Sequence, residues 1–442
     1  MTHSEDARQW VHIGSAGFAL LLCVLTWWQA AALAATALLF NVLVLPRVGG
    51  RRLYRPVDEA RGFPLGILLY PLAVLLLILI FPFRLDIVAA AWAIMAFGDG
   101  AATLVGRRAG GAHWPWNPEK TVGGTVAFAV SGGIAAVALA LWTRPSVAPE
   151  PPISYEVIAP TLAAVAAAMV ETIPVRLDDN ISVPATAAIV LWLATLVSID
   201  AGSAALESLL STLPWAVGVN AVVALLGYRA GTVSVSGTVA GALVGIAIYA
   251  GAGRNAWVLL FTTFAVATIA SRLGLQRKVL LGIAEDRSGR RGAGNALANC
   301  GVAAVAAIAA VATPHPAAAL LALVAALTAG GSDTVASEIG KAWGRSTFLV
   351  TSFSRVKAGT PGAMSLEGTA AGIVAAFGLA ALAVALGLIP RPMILAVVVA
   401  ATIGALVESV LGATLEGPGI LNNDLLNFVN TAVAAAVALT VT

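Results

Sequence analysis

Apolar stretches of about 18 to 22 residues recur along the chain from Val11 to the C-terminus, each long enough to cross a hydrocarbon core of about 30 Å as a helix. The pattern predicts about fifteen spans, near 11–29, 30–45, 65–83, 87–105, 121–142, 157–173, 182–199, 211–228, 234–252, 256–273, 294–312, 317–340, 363–388, 393–412 and 424–441. These Ala-, Leu- and Val-rich segments lack the alternation that a closed barrel requires. The expected fold is therefore an all-α polytopic integral membrane protein.

The polar residues at the ends of these spans form two matching series. Gly98-Asp99-Gly100-Ala101-Ala102-Thr103-Leu104-Val105-Gly106-Arg107 aligns with Ser332-Asp333-Thr334-Val335-Ala336-Ser337-Glu338-Ile339-Gly340-Lys341, sharing Asp, Ala, Gly and a base at equal offsets. Val122-Gly123-Gly124-Thr125 matches Leu366-Glu367-Gly368-Thr369, and Val170-Glu171-Thr172 matches Val407-Glu408-Ser409. Asp178-Asp179-Asn180 matches Asn423-Asp424-Leu425, and more faintly His12-Ile13-Gly14 matches Asn299-Cys300-Gly301. Every pair falls at the same end of helices running in the same direction, so the expected organisation is a parallel repeat of a five-helix core, in halves 1–204 and 205–442. The spans near 30–83 and 211–273 have no counterpart in the other half, and a polar connector, Ser198 to Ser211, joins the two.

Composition agrees with a bilayer protein: 59% of residues are hydrophobic, 11% are charged, and mean hydropathy is +0.92. The net charge of +3 is small, and its placement matters more. With a cytoplasmic N-terminus, only Arg84, Arg144, Arg254 and Arg391 of the 25 basic residues face the other side, which is the bias of the positive-inside rule. This places the chain in a bacterial or archaeal plasma membrane with its motifs facing the cytoplasm. The first apolar run reads as a retained helix, since no small-residue cleavage site follows closely. Cys23 and Cys300 both fall in or beside apolar runs, which suits packing and excludes a disulfide framework or zinc site. Nothing in the pattern specifies a nucleic-acid partner or an oligomeric state.

Carboxylates at membrane helix ends are expensive and usually functional. Asp99, Glu171, Asp178 and Asp179 form one set, and Asp333, Glu338, Glu408 and Asp424 the other. Hard oxygen ligands facing water suit Mg²⁺ shared with substrate phosphates, with Asp99 and Glu171, and Asp333 and Glu408, as the metal candidates. Helix capping or pairing with nearby Arg is the other reading of the same acids. Gly123-Gly124-Thr125 and Gly368-Thr369 open helices whose free N–H groups suit phosphate, with Lys120, Arg107 and Arg108, or Lys341, Arg355 and Lys357, as a clamp. Ser236-Gly237-Thr238 has the same look without acidic neighbours and is assigned to close helix packing. Together these features suggest phosphoryl or nucleotidyl transfer between a soluble nucleotide and a lipid, chemistry made mostly of positioning and charge stabilisation.

Residues 5–200, through Gly98 to Ala102, the loop Trp116-Asn117-Pro118-Glu119-Lys120-Thr121-Val122-Gly123-Gly124-Thr125, and Glu171 to Pro184, resemble the phytol and dolichol kinase family, a relative of phosphatidate cytidylyltransferases. Residues 211–442, through Gly282 to Glu285, Gly292 to Gly301, Gly331 to Thr334, Ser365 to Thr369 and Asn422 to Thr431, look like the family of transmembrane protein 19 and plant phytyl-phosphate kinase. The resemblance implies a CTP-dependent alcohol kinase fused to a monophosphate kinase, acting on phytol, geranylgeraniol or a similar isoprenoid alcohol. It further implies catalytic roles for Asp99, Asp178, Asp179, Asp333 and Asp424, and phosphate contacts for Asn180, Asn295, Asn299 and Asn427. A hydroxyl benefits from a general base whereas a phosphate monoester is already anionic. That difference suggests His12, Asp178 or Asp179 for the alcohol, and Arg290, Arg291 or Lys278 for holding the monophosphate. A cytidylyltransferase making a CDP-lipid is the main alternative, and a transporter the weaker one.

Overall fold

The computed structural model describes residues 13–47, 64–115, 117–173, 178–197, 199–282, 290–417 and 421–441. By internal contacts they group into two compact units, Met1–Thr195 and Leu196–Thr442. Among the described residues, nine helices are long and apolar enough to cross a membrane, and further apolar helices of 10–17 residues accompany them.

The first unit starts with a departure from the expected span over 11–29. A 3₁₀ segment, Ala16–Cys23, ends before α1 (Trp27–Leu43), because Thr26 forms a capping box with Gln29 whose Oε1 accepts from Thr26 N at 3.0 Å. The cap starts a new helix where apolarity alone reads straight through. α1 packs against α2 (Leu65–Ile80), with Asn41 Nδ2 donating to the Ile67 carbonyl at 3.0 Å. Next comes α3 (Leu85–Ala93), buried at every position, then a π-helical turn (Ile94–Gly98) and α4 (Asp99–Ala109).

Small residues let α5 (Val122–Thr143) approach this central helix closely. A Cβ at Gly132 would stand 3.3 Å from the Gly98 Cα. α6 (Ile153–Glu171) and α7 (Asp179–Thr195) complete the unit. Between α4 and α5 lies an antiparallel ribbon of β1 (His113–Trp114) and β2 (Asn117–Thr121).

In the second unit the polar connector proves helical, being the start of α8 (Ile199–Arg229). A border at 204/205 would therefore cut a helix. α9 (Val235–Arg272) is broken at Gly253, whose φ of 82° is open to glycine but strained for other residues. The rings of Tyr249 and Trp257 lie 6.4 Å apart, whereas eight residues of unbroken helix would rise about 12 Å. The chain thus folds back at Gly253. Ser234 N donates to the Arg291 carbonyl at 3.0 Å, so the residues before α9 and before α11 share one membrane face.

After the short α10 (Leu275–Leu280) come α11 (Ala293–Ala312) and α12 (Pro316–Trp343), the latter buried continuously from Leu321 to Ser332. A second ribbon, β3 (Thr347–Leu349) with β4 (Ala363–Ser365), leads into α13 (Leu366–Ala385). α14 (Met393–Leu411) runs on through a π-helical turn, Gly412–Glu416, and α15 (Asn423–Leu439) ends the unit. The two ribbons correct a purely helical expectation. They are too short for any alternating pattern to announce them.

Candidate active site

In the first unit four element ends converge. β2 brings Lys120 to its C-terminal end, α4 begins with Asp99 directly after the π-helical turn, α6 ends at Glu171, and α7 begins at Asp179. One carboxylate oxygen from each of Asp99, Glu171 and Asp179 lies within 4.8 Å of the other two. Lys120 Nζ sits 2.6 Å from Glu171 Oε1 and 3.2 Å from Asp179 Oδ2. Burial alone would lower the Lys120 pKa, but the Asp179 and Glu171 carboxylates outweigh it and raise it. The ammonium therefore stays charged at neutral pH. Asn117 Nδ2 donates to the Thr172 carbonyl at 3.1 Å, tying the ribbon to the end of α6.

Three hard oxygens of opposite sign to a neighbouring base form a donor set that fits a divalent cation such as Mg²⁺. π-helical turns are frequent at functional sites, and this one immediately precedes Asp99.

Other expected residues are placed around this cluster as follows. Asp178 Oδ1 accepts from Asn180 N at 3.0 Å and from Asn180 Nδ2 at 2.8 Å, the turn that starts α7. Gly124 N donates to its cap, Thr121 Oγ1, at 3.1 Å, and a Cβ there would meet the Ala102 carbonyl at 3.1 Å. Thr125 Oγ1 donates to the Thr121 carbonyl and accepts from Trp114 Nε1 at 2.9 Å, which pins the ribbon. Arg107 is exposed in the last turn of α4. His12 lies outside the described residues.

In the second unit a polar cavity of about 290 Å³ opens between α11, α12, α13, α14 and α15. Asp333, Lys341, Thr369 and Glu408 line it, and so do Arg291, Asn295, Asn299 and Asn427. Among the described residues, Asn299 Oδ1 and Glu408 Oε2 are buried there without a hydrogen-bond partner, and buried polar atoms of that kind call for an explanation. Arg291 Nη1 donates to Asn295 Oδ1 at 3.3 Å. Arg291, Asn295 and Asn299 also border an apolar cavity of about 130 Å³ walled by Trp257 and Phe261.

Four expected residues are placed differently. Asp424 packs on the start of α11, where a Cβ at Gly294 would stand 2.2 Å from its Oδ2. Glu338 and Lys278 form a buried ion pair; Lys341 Nζ lies 3.0 Å from Glu338 Oε1, and Lys278 Nζ donates to the Ser271 carbonyl at 2.7 Å. Lys278 is thus committed to α9 and α12 rather than to a phosphate. Gly368 N donates to Ser365 Oγ at 3.0 Å, and a Cβ there would be 2.4 Å from the Ala336 carbonyl. Gly368→Ala is accordingly expected to push α13 off α12 and cost about 1–3 kcal/mol, read as a lowered unfolding midpoint in detergent.

Glu416 also lines the polar cavity and escaped the motif reading. The signal was present: Glu408, Gly412 and Glu416 recur at helical spacing on one face of α14 and its extension.

The model of the integral membrane protein family DUF92 matches residues 218–435. An uncharacterized membrane protein of Synechocystis is 40% identical over 200 residues, covering 45% of this chain and 78% of that protein. Protein VTE6, chloroplastic, of Arabidopsis thaliana is 38% identical over 213 residues, covering 47% of this chain and 64% of that protein. Probable phytol kinase 2, chloroplastic, of Glycine max is 36% identical over 147 residues, covering 33% of this chain and 49% of that protein. The chain thus spans less than two thirds of the Arabidopsis and Glycine proteins. No solved structure matches it.

Proposed function

Because the chain belongs to the DUF92 family of integral membrane proteins, with relatives that include a probable phytol kinase, we propose that it is a bifunctional isoprenoid lipid kinase. The first unit, Met1–Thr195, converts an isoprenoid alcohol to its monophosphate, and the second, Leu196–Thr442, converts the monophosphate to the diphosphate, with CTP as donor and both sites facing the cytoplasm. The observation that carries the reading is the cluster of Asp99, Glu171 and Asp179 around Lys120, at the ends of apolar helices where a lipid hydroxyl and a soluble nucleotide can meet.

In the first half Asp179 takes the proton of the alcohol, since its carboxylate lies in the cluster while Asp178 is held by the α7 turn. Lys120 stabilises charge on the transferred phosphoryl group. In the second half no base is required, because the monophosphate is already an anion. Arg291, Asn295 and Asn299 hold it beside Asp333, and the unpartnered Asn299 Oδ1 accepts from the nucleotide or from ordered water. Mg²⁺ held by Asp99 and Glu171, and in the second half by Asp333 and Glu408, would neutralise charge on the nucleotide phosphates in each site.

The test is mass spectrometry of the lipid after incubating purified protein with farnesol, geranylgeraniol or phytol and each nucleoside triphosphate. Successive additions of one and two phosphates are expected. Addition of CMP would replace this reading with cytidylyl transfer.

A further inference from the structure

The first unit contains an apolar cavity of about 390 Å³ that the chemistry above does not use. Its walls come largely from the 3₁₀ segment, α1 and α2, and α1 and α2 belong to the stretch of the first half without a counterpart in the second. One end is polar: Asn180, next in sequence to Asp179, lines it together with Ser15 and Tyr70, and Tyr70 Oη accepts from Trp92 Nε1 at 2.7 Å. Leu22, Ala30 and Ile78 line the other end. Along α2 the lining runs from Gly66 to Ile78, roughly 18 Å at the rise of an α-helix.

We propose that this cavity receives the tail of the alcohol and sets its length at three to four isoprene units, the hydroxyl lying at the Asn180 end beside the carboxylate cluster. The inference rests on the kinase reading and adds the residues that choose the substrate. An isoprene unit has four main-chain bonds of about 1.5 Å and advances roughly 5 Å along a zigzag, so roughly 18 Å holds three to four units. Much longer polyprenols would meet the Leu22, Ala30 and Ile78 end. An apolar pocket with a few polar groups at one end is the usual form of a small-molecule site.

The experiment compares full-length wild type, Ala30→Leu and Ile78→Ala on alcohols of two to five isoprene units, measuring phosphorylation rate and the Tm rise each alcohol causes in detergent. Ala30→Leu, which fills the end away from Asn180, is expected to lower the rate on four units relative to three by tenfold or more. Ile78→Ala, which lengthens the cavity, is expected to raise the same ratio and serves alone if Ala30→Leu does not fold. Ratios unchanged in both variants, with phosphorylation intact, overturn the cavity and leave the kinase reading standing. A length-dependent Tm rise that shifts in the variants without any phosphate transfer keeps the cavity and removes the kinase. No Tm rise with any alcohol overturns the tail site.

Discussion

Asp99→Asn is expected to abolish phosphorylation of the alcohol, by about 10²- to 10³-fold, while leaving conversion of supplied monophosphate to diphosphate intact. The substitution keeps the shape of the side chain and removes one of the three carboxylates that face Lys120. Asp333→Asn, on the wall of the second polar cavity, is expected to do the reverse: the alcohol is consumed and the monophosphate accumulates. Product analysis by mass spectrometry with alcohol and with monophosphate as separate substrates reads both. Loss of both steps in both variants would defeat the idea of two independent sites.

Glu338→Gln is expected to destabilise the second unit by about 3–5 kcal/mol, measured as a loss of unfolding free energy in detergent. The side chains of Lys278 and Glu338 are 1% and 3% exposed, so among the described residues removing the carboxylate leaves the buried ammonium with the Ser271 carbonyl. Lys278→Met should cost less, because Lys341 still faces Glu338. Lys278→Met combined with Glu338→Gln should recover much of the loss, since the desolvated charge is then absent. A double variant as unstable as Glu338→Gln alone would show that packing, and not the stranded charge, dominates.

The carboxylates of the first cluster were legible because a charge at the end of an apolar span is costly unless something uses it, and three of them do meet in space. Matching motifs likewise pointed to Asp333, Glu408 and Lys341, which line one cavity. The break between the spans near 234–252 and 256–273 could be read from Gly253 and Arg254 in an apolar run. The Lys278–Glu338 pair could not be read, since sixty residues separate its members and nothing local marks them as partners. Gly124 and Gly368 could be read two ways because one chemical fact, a missing side chain, suits both a phosphate and a close helix contact; the nearby Ala102 and Ala336 carbonyls show the close contact.

The reversal at Gly253 has a consequence for sidedness. Because Ser234 and Arg291 are joined by a hydrogen bond, the stretch between them leaves one face of the membrane and comes back to it. Its crossings are even in number, so the parity of everything after Arg291 is the same with the stretch or without it. A hairpin of this kind can be gained, lost or reshaped around its apolar cavity without turning the Asp333 site to face the opposite compartment.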